Sequence, residues 1–125
     1  MGLPDTEAIV GEFLRSVVTV PVSGLVPNPR PGSFVRVWRT GGPAMSRVVD
    51  QPQLTVQAWD ESSSAAAWEL MSACREALLG AARLDAIPLV RRVYTVGGPY
   101  YDPDPESGAH RYSMTVAFRI RATRN

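Results

Sequence analysis

Tyr112-Ser113-Met114-Thr115-Val116-Ala117-Phe118-Arg119-Ile120 is the stretch whose reading decides the fold. Tyr112, Met114, Val116, Phe118 and Ile120 fall on one face of an extended chain, and Arg111, Ser113, Thr115, Arg119 and Arg121 on the other. Period-two alternation of this kind describes a strand with one buried and one wet face. Upstream, Val90 to Val96 reads as a partner strand. Between the two lies Gly97-Gly98-Pro99-Tyr100-Tyr101-Asp102-Pro103-Asp104-Pro105-Glu106-Ser107-Gly108. Prolines fix φ and lack a backbone donor, so this segment is expected to leave the ladder and form a stiff, acidic loop carrying two tyrosines.

Working towards the N-terminus, a helix of about twenty residues follows the cap and turn residues Asp60-Glu61-Ser62-Ser63-Ser64. Its apolar stripe is Ala67, Leu70, Met71, Cys74, Ala77, Leu78 and Ala81, with Glu69, Glu76 and Arg83 opposite. Cys74 sits within the stripe and reads as a small buried hydrophobe. Trp68 flanks it, either completing the core or marking an interface. Leu54 to Trp59 and Phe34 to Thr40 read as strands by alternation and by β-branched and aromatic content. Arg47 to Asp50 is expected to pair back after a turn at Gly41-Gly42-Pro43, producing an antiparallel meander. Residues 21–33, with prolines at 21, 27, 29 and 31, form an extended arm holding at most a short edge strand. That arm is either a connector or a segment lying against a neighbouring subunit. The first helix opens at Asp5 or Thr6 and presents Ile9, Val10, Phe13, Leu14 and Val17 on one side. The whole predicts one α+β domain over residues 1–125, a mostly antiparallel sheet of about five strands with two helices packed on one face.

With 125 residues the chain can bury roughly two-thirds of its unfolded surface and build its core without staples. A net charge of +1 does not draw the whole molecule to nucleic acid or an anionic membrane. All 13 basic residues are Arg, a bias expected of a GC-rich genome. One cysteine excludes an internal disulfide and a cysteine-based zinc site. Neither a secretory leader nor a membrane-length apolar run is expected from the pattern, so the protein is expected inside the cell.

The inventory for catalysis is thin. His110 is the one histidine and stands beside Arg111; neither a nucleophile elbow nor a phosphate-cradling glycine loop is present. Asp102, Asp104 and Glu106 alternate like the start of a calcium loop, but prolines separate them and later ligands are missing. They are expected instead to form a negative projection that meets arginines on a partner or repels DNA phosphate, with Tyr100 and Tyr101 as interface residues beside it. Arg36, Arg39 and Arg47 on one strand pair, and Arg119, Arg121 and Arg124 at the C-terminus, fit either a phosphate-contacting surface or solvent-facing charge. Neither enzymatic activity, cofactor nor metal is expected.

Taken in order, several segments resemble the tail-terminator proteins of long-tailed bacteriophages infecting high-GC hosts. These are Pro27-Asn28-Pro29-Arg30-Pro31 ahead of Phe34-Val35-Arg36-Val37 and Arg39-Thr40-Gly41-Gly42, then Pro52-Gln53-Leu54-Thr55-Val56 with Trp59 before an Ala-rich helix. Gly97-Gly98-Pro99-Tyr100-Tyr101, Asp104-Pro105-Glu106-Ser107-Gly108 and Arg111-Tyr112 complete the pattern. The resemblance implies a virion protein assembled in the host cytoplasm as a ring, usually a hexamer. Such a ring caps the tail tube, stops its polymerisation and docks the head connector, while double-stranded DNA passes through its hole without sequence-specific contact. It also makes Pro27, Pro29, Arg30, Pro31, Arg36, Arg39, Tyr100, Tyr101, Asp102, Asp104 and Glu106 the candidate interface residues. Two other readings are a head-completion or head–tail adaptor protein of the phage neck, and a small DNA- or ligand-binding regulatory domain.

Overall fold

The computed structural model describes residues 5–42, 49–84, 86, 87 and 89–121. Helix α1 (Thr6–Val17) is followed by strands β1 (Val22–Ser23), β2 (Ser33–Gly41), β3 (Val49–Asp50) and β4 (Gln53–Asp60). Helix α2 (Ser64–Ala81) leads to the hairpin of β5 (Val90–Tyr101) and β6 (His110–Arg121). The fold is α+β and the strands are mostly antiparallel; only β1 runs parallel to its neighbour, β2. Both helices begin on side-chain caps, as their sequences require. Asp5 Oδ1 accepts from Ala8 N–H at 3.1 Å, and Ser63 Oγ accepts from Ala66 N–H at 3.0 Å.

β6 is paired along both edges. β4 lies along one of them, from Gln53 opposite Ala117 to Asp60 opposite His110, and β5 lies along the other. The alternation of β6 then sorts the layers. Met114, Val116, Phe118 and Ile120 point into a core shared with Val35 and Val37 of β2, Leu54, Val56 and Ala58 of β4, and Met71, Cys74 and Leu78 of α2. Helix α2 covers β4, β5 and β6, while α1 covers β2 and β1 and touches α2. Val10 and Leu14 of α1 are fully buried, whereas Val17, at its end, is exposed. Burial pushes the Cys74 thiol up to about 12, so it stays protonated at neutral pH and behaves as a hydrophobe.

Two expectations from the sequence are corrected. Val49-Asp50 does not turn back onto β2; it pairs with Ile120 and Arg121 of β6, and β4 is the partner of β2. Arg47 and Val48 lie outside the described residues. The reason is local. β3 and β4 form one broken line along β6, interrupted at Pro52, whose carbonyl accepts Phe118 N–H at 2.9 Å. Asp50 is buried there and is held by Arg39 of β2.

The second correction concerns the hairpin loop. β5 does not stop at Val96 but runs on to Tyr101, with Tyr100 opposite Ser113 and Tyr101 opposite Tyr112. Register shifts between Thr95 and Gly97 and between Gly97 and Tyr100 absorb the Gly-Gly-Pro sequence as bulges, where a missing donor is tolerated. Gly98 has φ +84°, and a Cβ there would lie 2.6 Å from the Ser113 carbonyl oxygen; at Gly97 a Cβ would meet nothing within 4 Å. Gly98→Ala is therefore expected to cost roughly 1–3 kcal/mol in urea unfolding, the range for strained backbone, while Gly97→Ala stays near wild type.

Candidate interface: the arm and the hairpin tip

The face of the sheet away from the helices has to be finished by side chains alone. Phe34 of β2 and Trp59 of β4 are register partners there, stacked with centroids 4.9 Å apart, and both are buried. Two guanidinium groups close over the Trp59 ring: Arg111 of β6 at 4.8 Å from the ring centroid and Arg30 of the proline arm at 5.7 Å. Nearer the centre of the sheet the finish is polar. Hydroxyls of Thr40, Thr55 and Thr115 line up at 3.1 and 3.4 Å, and Arg36 stacks on Trp38 at 3.9 Å from the ring centroid.

Beyond β5 the hairpin continues as a ladder to its tip. Asp102 N–H donates to the Arg111 carbonyl at 2.8 Å, and Asp104 N–H to that of Ala109 at 3.0 Å. Pro103 and Pro105, alternating with these two donors, have no N–H to offer on the other side. Asp104 closes the turn. Its carboxylate accepts from the backbone N–H of Ser107 at 3.0 Å and from the Ser107 hydroxyl, and its carbonyl accepts from Gly108 N–H at 2.8 Å. Gly108 sits at φ +73°, the left-handed conformation that glycine adopts without steric cost.

The arm and the tip are joined. Arg30 Nη1 donates to Ser107 Oγ at 2.9 Å and lies 3.6 Å from Asp104 Oδ2. Arg111 grips the same turn from below: its Nε donates to the Asp102 carbonyl at 2.7 Å, its Nη2 lies 3.2 Å from Asp102 Oδ2, and its Nη1 lies 3.8 Å from Asp104 Oδ1. Ser113 Oγ adds a 2.9 Å hydrogen bond to Asp102 Oδ2. Two of the three acids that the sequence presents as a negative projection are thus already matched by arginines of the same chain. Glu106 stays exposed at the apex. The hydrogen bond from Ser107, with the charge of Arg111 as a smaller contribution, holds the Asp104 carboxyl below its ordinary value of 3.8.

The remaining candidate residues are distributed differently from their order in the sequence. Tyr100 and Tyr101, adjacent in the chain, face opposite sides of the sheet. Tyr100 is 56% exposed on the side without helices. Tyr101 stands edge-on to Tyr112, which in turn meets Trp68 of α2 edge-on, and its hydroxyl pairs with His110 Nδ1 at 2.7 Å. Arg39 makes a two-pronged ion pair with Asp50, at 2.8 and 3.1 Å, and also donates to the Gly41 carbonyl. Arg36 donates to the Gly24 carbonyl at 3.0 Å. Both arginines therefore hold backbone segments of their own chain in place. Pro27 and Pro31 are half-buried and Pro29 is exposed. Of the second arginine set, Arg119 and Arg121 lie at the far end of β6 beside Arg91, and Arg124 falls outside the described residues.

The two segments singled out from sequence, the proline arm and the hairpin, are thereby brought into one continuous surface. Their union was not readable in advance, because Arg30 and Asp104 are distant in sequence and no local pattern links them. Trp59 was the available clue: a buried aromatic on the helix-free face needs a cover. Among the described residues, no group of three or more His, Cys, Asp or Glu side chains converges as a metal site. No helix among them is long and apolar enough to cross a membrane.

Neither a protein-family model nor a curated protein matches the chain. Among solved structures, a chain of the virion of a native gene transfer agent particle superposes with a TM-score of 0.71, covering 93% of this chain and 94% of that one. The two share 16% sequence identity, so the likeness establishes the fold.

Two outcomes test the assignments at this surface. Arg39→Ala leaves the buried Asp50 without its counter-charge and is expected to cost roughly 1–3 kcal/mol in denaturant unfolding, a value typical of a lost hydrogen bond to a charged group. Because the Asp104 carboxyl is held below 3.8, its contribution to the turn is complete above that pH and is lost as pH falls below it. A pH series of amide exchange at Ser107, whose N–H donates to the carboxylate, is expected to show this loss in the native chain, whereas in Asp104→Ala the same amide exchanges fast throughout.

Proposed function

We propose that this chain is a structural subunit of a phage-type virion, and specifically a tail terminator. In this reading copies close into a ring, usually a hexamer in proteins of this kind, that caps the tail tube, ends its polymerisation and presents a surface to the head connector. DNA then passes through the ring. The observation that carries the reading is the likeness, over nearly the whole of both chains, to a chain of a gene transfer agent virion. The ordered segments from Pro27 to Tyr112 that resemble tail terminators support the finer assignment. So does the geometry: the arm and the tip are locked together by Arg30, Asp104 and Ser107, giving a preorganised surface that loses little conformational entropy on docking. Such a surface suits a protein partner better than a substrate. Docking would leave the internal ion pairs in place and use Glu106, Tyr100 and the exposed proline edge.

Removing the gene from the phage that encodes this chain is the deciding experiment. A terminator's loss is expected to yield overlong tails by electron microscopy, and purified protein added to tail tubes is expected to bind one tube end. Tails of normal length would sink the assignment. Binding to filled heads in place of tubes would make the chain a head–tail adaptor.

A further inference from the structure

The end of the sheet far from the hairpin tip gathers arginine on one face. Phe118 and Ile120 of β6 point into the core, so Arg119 and Arg121 point to the face without helices. Arg92 of β5 is the register partner of Arg119 and shares that face, while Val93, opposite Phe118, packs against the core. The pairing of β5 shifts between Val90, which is buried, and Arg92. Arg91 is the extra residue in that bulge, so two successive arginines are exposed where strict alternation would have turned one of them inward. Arg91, Arg119 and Arg121 line one open recess of about 210 Å³, together with Val49 and Ile120.

Arg91, Arg92 and Arg121 enter none of the ion pairs among the described residues, which engage Arg30, Arg39 and Arg111. Asp50, the acid that β3 places opposite Ile120, is buried and already held by Arg39. Glu7, Glu12, Glu69 and Glu76 belong to α1 and α2, which cover the other face. Arg92 stands 5.8 Å from the Tyr94 ring centroid, a contact that leaves its charge in place. The described carboxylates therefore leave the guanidinium groups of Arg91, Arg92 and Arg121 unmatched. Arg92 and Arg119 are moreover direct cross-strand partners. Like charges placed so cost a sheet stability, a cost that a bound anion offsets. The net charge of +1 conceals this local excess.

We propose that this arginine patch binds the phosphodiester backbone of double-stranded DNA, without regard to sequence. Guanidinium forks grip phosphate oxygens in two-pronged fashion. Charge density selects the ligand. Strand rise and spacing make the patch on the order of 10 Å across. A duplex presents one phosphate charge about every 1.7 Å of its axis, so that length offers about six. An extended acidic polypeptide rises about 3.3 Å per residue and turns alternate side chains away, so it offers about two. Nor does the patch give a protein partner an apolar anchor, since Ile120 is buried and Val49 half-buried. The site deepens the ring reading above, on which it rests for its setting: it is the surface that the passing DNA meets. The binding itself is a property of the single chain.

Fluorescence anisotropy of the full chain with a labelled duplex, over a salt series and with a second duplex of unrelated sequence, tests the site. Both duplexes are expected to bind alike at low salt. The logarithm of the binding constant is expected to fall with that of salt at a slope of about −0.9 per phosphate met, or roughly −3 in all. Arg92→Gln and Arg121→Gln are each expected to weaken binding to both duplexes equally and to make the slope shallower by about one. Both side chains are exposed, so the unfolding midpoint of each variant stays near wild type. Arg83→Gln, on an exposed arginine just past α2, is expected to leave the slope unchanged. A chain that binds neither duplex at low salt overturns the site, as does a slope indifferent to Arg92 and Arg121. Polyglutamate or inorganic polyphosphate that displaces the duplex at equal charge concentration also overturns it, and makes the patch an acidic-peptide or free-phosphate site. Tail length in the deletion phage reports on the terminator reading separately, whichever way the binding falls.

Discussion

The constraint on which the molecule depends is that β6 is hydrogen-bonded along both of its edges. β4 and the short β3 occupy one edge and β5 the other, so β6 cannot slip by one residue without turning Met114, Val116, Phe118 and Ile120 out of the core. With that register set, β4 aligns β2, β2 aligns β1, and the apolar sides of both helices have one face to land on. The Pro52 break is part of the same arrangement. A proline carbonyl accepts from Phe118 N–H where the proline itself has no N–H to return, so the line along β6 bends there without leaving its neighbour unbonded.

A sheet covered by helices on one face leaves the other to be made compatible with water. Here the solution varies along the strands. At the centre it is a row of threonine hydroxyls and a guanidinium stacked on Trp38; towards the hairpin it is the buried Phe34–Trp59 pair, sealed by Arg30 and Arg111. The same guanidinium groups hold Asp102, Asp104 and Ser107. Closing over Trp59 and shaping the tip are therefore one event, and the proline arm is drawn onto the hairpin by an aromatic pair that neither segment contains. A surface assembled this way is held in shape by contacts within the chain itself.

Much of the secondary structure was legible because burial imposes a period. Alternation from Tyr112 to Ile120, the stripe from Ala67 to Ala81 and the caps at Asp5 and Ser63 are local signals, and each appears in place. Two local rules misled. Proline after Gly97-Gly98 reads as the end of a strand, yet bulges carry β5 past it to Tyr101. Proximity in sequence suggests that residues 47–50 pair with the strand before them, yet Asp50 is drawn to Arg39 while Val49 pairs with Arg121 of β6. Neither outcome is encoded within a short window. Both are settled by what lies alongside.

The hairpin shows the division most clearly. The sequence alone determined that Tyr94 to Ile120 folds as two strands with an acidic, proline-stiffened connection, because φ restriction, missing donors and alternation are properties of the residues themselves. Only the tertiary structure decided what the acids do. Asp102 and Asp104 read as free negative charge until Arg111 and Arg30 are placed beside them, and Tyr100 and Tyr101 read as a pair until the pleat sends them to opposite faces. The physical reason is range. Backbone conformation is dictated within a few residues, whereas charge pairing and exposure depend on which distant side chains the fold brings within a few ångströms.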